Sequence, residues 1–304
     1  MQDWPVHIKN FLQSINKALW SFTTVFTGVL IFLNYYYGIH DWINGHSFYP
    51  SFFYRYCLSA IAFLSPYFFL LILKRKQLLY NKKILLLLFI APSIFSLKMV
   101  FIINLSVSDN PFWNNYWNHV LYWPALLIIT ASLLLFIREK WYKNSPFWGM
   151  SCKSFQWKPY FLLLFLMVPL IVWASTQHDF LQLYPRLKMV SGTSEGIKFN
   201  LWHQLLFELS YGIDFVTIEL FFRGFLVLAF VKWFGKDAII PMASFYATVH
   251  FGKPLGECIG SYFGGMILGI LVYKTQSLWG SLFIHLGVAW MMELGGYLGN
   301  IFSG

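Results

Sequence analysis

Apolar segments long enough to cross a membrane recur along the whole chain, and they leave few folds open. The expected spans run from Leu19 to Tyr37, Phe52 to Leu73, Ile84 to Leu105, Val120 to Ile137 and Pro159 to Ser175. A long sixth segment, Leu201 to Trp233, is followed by Ala238 to His250, Ile259 to Tyr273 and Leu278 to Ile301. A helix needs about 20 residues to cross a hydrocarbon core roughly 30 Å thick. Only helices and closed barrels satisfy every backbone polar group there. The expected fold class is therefore all-α, a polytopic integral membrane helical bundle with about eight or nine transmembrane helices. Composition agrees, with 58% hydrophobic and 11% charged residues against roughly 25% charged in soluble domains.

The sixth segment exceeds one crossing and is expected to break at Ser210-Tyr211-Gly212, and one apolar segment could be re-entrant. After about residue 200, small residues become common and polar groups fall inside the spans. Three regions are expected: 1–160 as accessory N-terminal helices, 161–199 as a fifth helix and connection, and 200–304 as a core carrying the polar motifs. The eighth segment holds Gly260, Gly264, Gly265 and Gly269, spacings that let helix backbones approach closely.

A net charge of +10 would suit nucleic acid, but its distribution argues otherwise. Ile39 to Pro50 and Ser106 to Asn118 contain no Lys or Arg. The intervening loops hold five each: Lys74, Arg75, Lys76, Lys82 and Lys83, then Arg138, Lys140, Lys143, Lys153 and Lys158. This alternation is the positive-inside pattern. It excludes a nucleic-acid partner, makes membrane lipids the first partner, and places the N-terminus in the cytoplasm. Arg186, Lys188 and Lys198 fall on the far side and break the pattern. Cys57, Cys152 and Cys258 lie far apart without ligand spacing, so neither a finger-type zinc site nor a disulfide framework is supported. No cleavable leader is expected, because the first apolar run is long and lacks a small-x-small site.

Glu219 and Arg223 stand four residues apart inside the apolar run from Phe215 to Phe230. On an α-helix such a pair shares a face, so each group can neutralise the other. Charges in hydrocarbon cost about 2.5–3.5 kcal/mol or more and are expected to face a bundle interior or wet cavity. His285 lies in a stretch otherwise nearly free of polar side chains, whereas His250 ends an apolar helix and would also fit an interface. Imidazoles and a carboxylate around one cavity can activate water. A transporter would suit broken helices, but no inverted repeat is visible.

Glu219-x-x-x-Arg223-Gly224, then Tyr246-x-x-x-His250, then Ser281-Leu-Phe-Ile-His285 resembles the motif order of the CAAX protease and bacteriocin-processing (CPBP, or Abi) family. The resemblance extends to Glu219–Leu226 and Gly269–Trp279 and covers about residues 205–295. It implies an intramembrane endopeptidase with a bundle of about eight helices, a metal-free glutamate mechanism, no cofactor, and a peptide or protein substrate. It also implies the inner membrane of a bacterium as the location. Carried over by position, Glu219, His250 and His285 are catalytic, while Arg223 and Tyr246 support the site. Two positions depart from the family pattern. Ile218 replaces the first glutamate, which activates water in the family, and Ala289 replaces a polar residue, usually Asn.

Asp214 lies four residues before Ile218 and Glu293 four after Ala289. Each returns a carboxylate to the same helix face about one turn (~5–6 Å) away, which makes Asp214 a further catalytic candidate and Glu293 a supporting one. Against this, Asp214 would cap a helix starting after Gly212, and Glu293 would be interfacial. Two readings therefore stand: a divergent endopeptidase, and a catalytically impaired pseudoprotease that binds a membrane-protein partner.

Overall fold

Asparagines start four of the long helices. Asn16, Asn81, Asn110 and Asn200 each lie just outside a helix in extended geometry, and each side-chain oxygen accepts backbone N–H groups of the first turn. Such caps satisfy donors that have no partner inside a helix. The structure is a computed structural model that describes residues 4–74, 76–143, 147–151, 157–191 and 199–303. Arg75, Cys152, Lys153 and Lys198, which enter the charge and cysteine patterns, lie outside the described residues.

In chain order the helices are α1 (Trp4–Ser14), α2 (Lys17–Tyr37), α3 (Ile39–Asn44), α4 (Phe48–Lys74), α5 (Lys82–Val100), α6 (Pro111–Trp141) and α7 (Trp157–Ala174). There follow α8 (His178–Leu183), α9 (Lys188–Ser191), α10 (Leu201–Glu219), α11 (Val231–Phe234), α12 (Ile239–Thr248), α13 (Leu255–Thr275) and α14 (Trp279–Ser303). A π-helical segment, Leu220–Ala229, follows α10 directly. Among the described residues every regular element is helical.

Among the described residues six helices, α2, α4, α5, α6, α13 and α14, are long and apolar enough to cross a membrane. The apolar part of α7, Tyr160–Ala174, is shorter. The expected seventh span is the ten-residue α12, all of it buried. At 1.5 Å per residue it covers about 15 Å, half a bilayer core. The sixth segment does not break at Gly212. α10 runs through it, and the geometry changes only after Glu219. The third span stops at Val100, five residues early. Beyond it, the backbone of Leu105, Val107 and Ser108 bonds to the side chains of Asn114 and Asn118, which offers that backbone partners outside a helix.

The chain forms two compact units. The first comprises Met1–Phe101, Ser145–Ser151 and Phe221–Ser277, and the second comprises Ile102–Asn144, Cys152–Leu220 and Leu278–Gly304. The core of the first is aromatic: Phe63, Tyr67, Phe95, Phe222, Phe230 and Phe245 meet edge-on or tilted. In this unit Gly265 and Gly269 of α13 bring it close to α12, while Gly260 and Gly264 have open space beside them. Only half of the glycine pattern therefore serves helix contact. The core of the second unit joins Tyr116, Val120 and Trp123 of α6 to Phe207, Tyr211 and Phe215 of α10 and to Ala289 of α14.

Candidate active site

Within the second unit, Glu208, Gly212, Phe215 and Glu219 fall on one stripe of α10, at spacings of four, three and four. Gly212 has no side chain to hold α14 away, and a methyl there would touch Leu286 and Trp290 at 3.4 Å. Phe215 meets the His285 ring edge-on at 4.8 Å between centroids. One turn further, Glu219 Oε1 lies 2.7 Å from His285 Nδ1. Glu219 is 1% exposed and the His285 side chain 12%. An ionised carboxylate only accepts, so Nδ1 of His285 donates to it and Nε2 is then the basic ring nitrogen. This is the arrangement in which a carboxylate fixes the tautomer and orientation of a basic imidazole.

Within the first unit, Arg223 is fully buried, with its guanidinium carbon 4.2 Å from the centre of the Tyr246 ring. Tyr246 lies in the last turns of α12 and meets His250 edge-on at 4.7 Å. His250 follows α12 in a turn, and its Nδ1 is 3.1 Å from the Tyr246 carbonyl oxygen. A carbonyl only accepts, so here too Nδ1 carries the proton. Arg223 belongs to the π-helical segment, a geometry often found at functional sites. The regular α-helix ends at Glu219; His285 is one neighbour of Glu219, and Tyr246 is one neighbour of Arg223.

The remaining candidates are scattered. Asp214 is half-buried in the interior of α10, whose cap is Asn200, so the capping role expected for it does not arise. Glu293 is buried rather than interfacial, and its Oε2 accepts the backbone N–H of Arg186 at 2.7 Å. Asn300 continues this anchorage one helix turn and more along, donating to the Tyr184 carbonyl at 2.9 Å and accepting from Lys188 Nζ. Ile218 is half-buried, and Ala289 packs in the aromatic core beside Phe215.

Sequence reasoning missed Glu208, whose Oε2 is enclosed without a hydrogen-bond partner. Its place on the Glu219 stripe was the available signal. It also missed how far the N-terminal helices reach toward α12, for which single-sequence periodicity gives no sign. Cys57 and Cys258 are free thiols.

Fold and site together define a multi-pass membrane protein with a carboxylate–imidazole pair buried in its helices. Residues 200–291 match the family described as Rce1-like, type II CAAX prenyl endopeptidase Rce1-like. The match covers about a third of the chain and is a likeness to type II CAAX prenyl endopeptidases. No curated protein and no solved structure matches the chain. The matched segment contains all three motifs and stops short of Glu293.

Proposed function

We propose that this protein is a divergent intramembrane endopeptidase in which the Glu219–His285 pair activates a water. His285 Nε2 takes a proton from the water as its oxygen adds to a peptide carbonyl. Glu219 balances the charge on the ring, and the ring returns the proton to the departing amine. His250, from the second family motif, is proposed as a further catalytic residue, with Tyr246 and Arg223 fixing its surroundings. Asp214 is the weaker candidate for the base, because it lies on another face of α10 from Glu219. The substrate class proposed is a peptide or protein chain end lying in the membrane, and no cofactor is invoked. The proposed setting is a bacterial inner membrane with the N-terminus in the cytoplasm, which rests on the basic loops.

The observation that carries this reading is the 2.7 Å contact between a 1%-exposed carboxylate and a histidine ring. A buried hydrogen-bonded pair of this kind holds a base in one tautomer without the glutamate that Ile218 replaces. The test is hydrolysis of quenched-fluorescent peptides ending in a prenylated Cys-aliphatic-aliphatic-X sequence by the purified protein in detergent. Turnover is expected to fall at least about 100-fold in Glu219→Gln, His250→Ala and His285→Ala. Wild-type rates in His285→Ala would overturn the mechanism.

The pseudoprotease reading draws on Ala289, which packs against aromatic rings where the family has a polar group. Saturable peptide binding by the wild-type protein without cleavage would favour it.

A further inference from the structure

The turn that carries His250 has short-range internal hydrogen bonds, from the N–H groups of His250, Phe251 and Lys253 to carbonyls three residues back, at 3.0–3.3 Å. Lys253 Nζ also pairs with Glu257 of α13 at 3.0 Å. Further support comes from α2 and α3, in the first hundred residues and outside the family-matched segment. Tyr35 Oη donates to the Lys253 carbonyl at 2.5 Å. The His40 imidazole lies against Gly252 so closely that a methyl there would overlap the ring. Phe251 packs with Ile31 of α2 and Cys258 of α13.

The sequence of α2 explains why it can do this. Its buried residues, Leu19, Thr23, Thr27, Ile31 and Asn34, form one stripe at spacings of four, four, four and three. The opposite face, with Val25, Val29, Phe32 and Tyr36, is exposed. Thr27 Oγ1 donates to Ser244 Oγ of α12 at 2.8 Å, inside the protein. Polar side chains join membrane helices in this way because hydrocarbon offers them no other partner. At the corner after α2, Gly38 adopts the left-handed conformation (φ 61°), and Asn34 accepts the backbone N–H of His40 at 3.0 Å. The corner thereby aims the His40 ring at the turn.

We propose that Tyr35 and His40 are positioning residues for His250, with α2 and α3 acting as a splint on the second motif. Its catalytic consequence rests on the endopeptidase reading, but the splint itself does not. The first experiment is therefore hydrogen–deuterium exchange on the full-length protein in detergent, comparing wild type, Tyr35→Phe, His40→Ala and the control Tyr36→Phe. Amides of residues 249–253 are expected to exchange roughly five- to tenfold faster in Tyr35→Phe and His40→Ala. Exchange elsewhere, and everywhere in Tyr36→Phe, should match wild type. Unchanged exchange at 249–253 overturns the proposal, and so does faster exchange spread over the whole protein.

On a cleavable peptide, both variants should lower kcat several-fold with KM unchanged. If His285→Ala retains activity while exchange at 249–253 responds as expected, the mechanism falls and the splint stands.

Discussion

Two adjacent glycines of α13 should respond oppositely to the same methyl group. An ideal Cβ on Gly265 would lie 2.9 Å from Tyr246 Cδ1 and 3.6 Å from Ala243 Cα, whereas one on Gly264 meets nothing within 4 Å. Replacing glycine by alanine in a helix contributes about 0.4–1 kcal/mol by restricting the unfolded chain, and both variants gain this equally. Gly265→Ala must also push Tyr246 or the whole of α12 aside. The ring has little freedom to yield, with Arg223 on its face and Phe222 and His250 at its edges. Overpacking of this kind costs about 1–3 kcal/mol. Because the backbone gain cancels between the two variants, their difference measures the overpacking alone. At about 2–4 °C per kcal/mol for domains of 150–250 residues, Gly265→Ala should melt about 2–12 °C below Gly264→Ala. Thermal unfolding in detergent, followed by tryptophan fluorescence, reads this directly. A Gly265→Ala melting temperature equal to or above that of Gly264→Ala would refute the packing of α13 on Tyr246.

Three further outcomes are expected. Burial first, and the Arg55 guanidinium second, hold the His40 imidazole below its ordinary range against the opposing pull of Asp41. The folded protein therefore takes this proton less readily than the unfolded chain. The stability His40 contributes is complete above about pH 6.5 and is lost as pH falls through the lower folded value. Melting temperatures measured from pH 7.5 to 5 should drop more steeply in wild type than in His40→Asn; parallel slopes would remove His40 as the cause. Glu293→Leu deletes the acceptor for the Arg186 N–H, a charge-assisted bond worth about 1.5–3 kcal/mol. Limited proteolysis should then cut near residues 184–190 sooner than in wild type, and identical digestion kinetics would count against the anchor. Arg223→Lys exchanges a plane stacked on Tyr246 for a point charge. A desolvated cation–π contact contributes about 2 kcal/mol, so a clear fall in melting temperature is expected, and none would mean that the ring contact contributes little.

What the sequence disclosed depended on how local its cause was. Hydrophobic length is a local property, and α2, α4, α5, α6, α13 and α14 all fall where apolar runs predict spans. Hydropathy does not separate a span from a short helix enclosed by protein, since both exclude water. Hence α12, ten buried residues long, read as a crossing. The break expected at Ser210-Tyr211-Gly212 came from a segment longer than one crossing, and glycine's poor helix propensity, worth about 1 kcal/mol, would favour it there. Packing overrides that, because the missing side chain is what admits Leu286 and Trp290. The π-helical turn after Glu219 has no periodic signature in the sequence. The reach of Tyr35 to Lys253, 218 positions apart, is a tertiary fact that no window on one chain can contain.

The substitution at Ile218 bears on the mechanism differently once Glu219 is seen on His285. With a carboxylate at Ile218, water could lose its proton directly to a glutamate. Without it, Glu219 accepts the Nδ1–H of His285, and in the proposed mechanism Nε2 of the ring takes the proton. Stability alone does not account for such a pair. Exchanging buried charged groups for apolar ones of similar volume is often neutral, or stabilising by about 1–4 kcal/mol. A bundle needing only to hold its helices together would pack as well with apolar residues at 219 and 285. The proposed mechanism gives this pair a role that packing does not, chemistry at Nε2. The reading therefore stands or falls on His285: if an apolar residue there leaves peptide hydrolysis intact, the pair has no catalytic meaning.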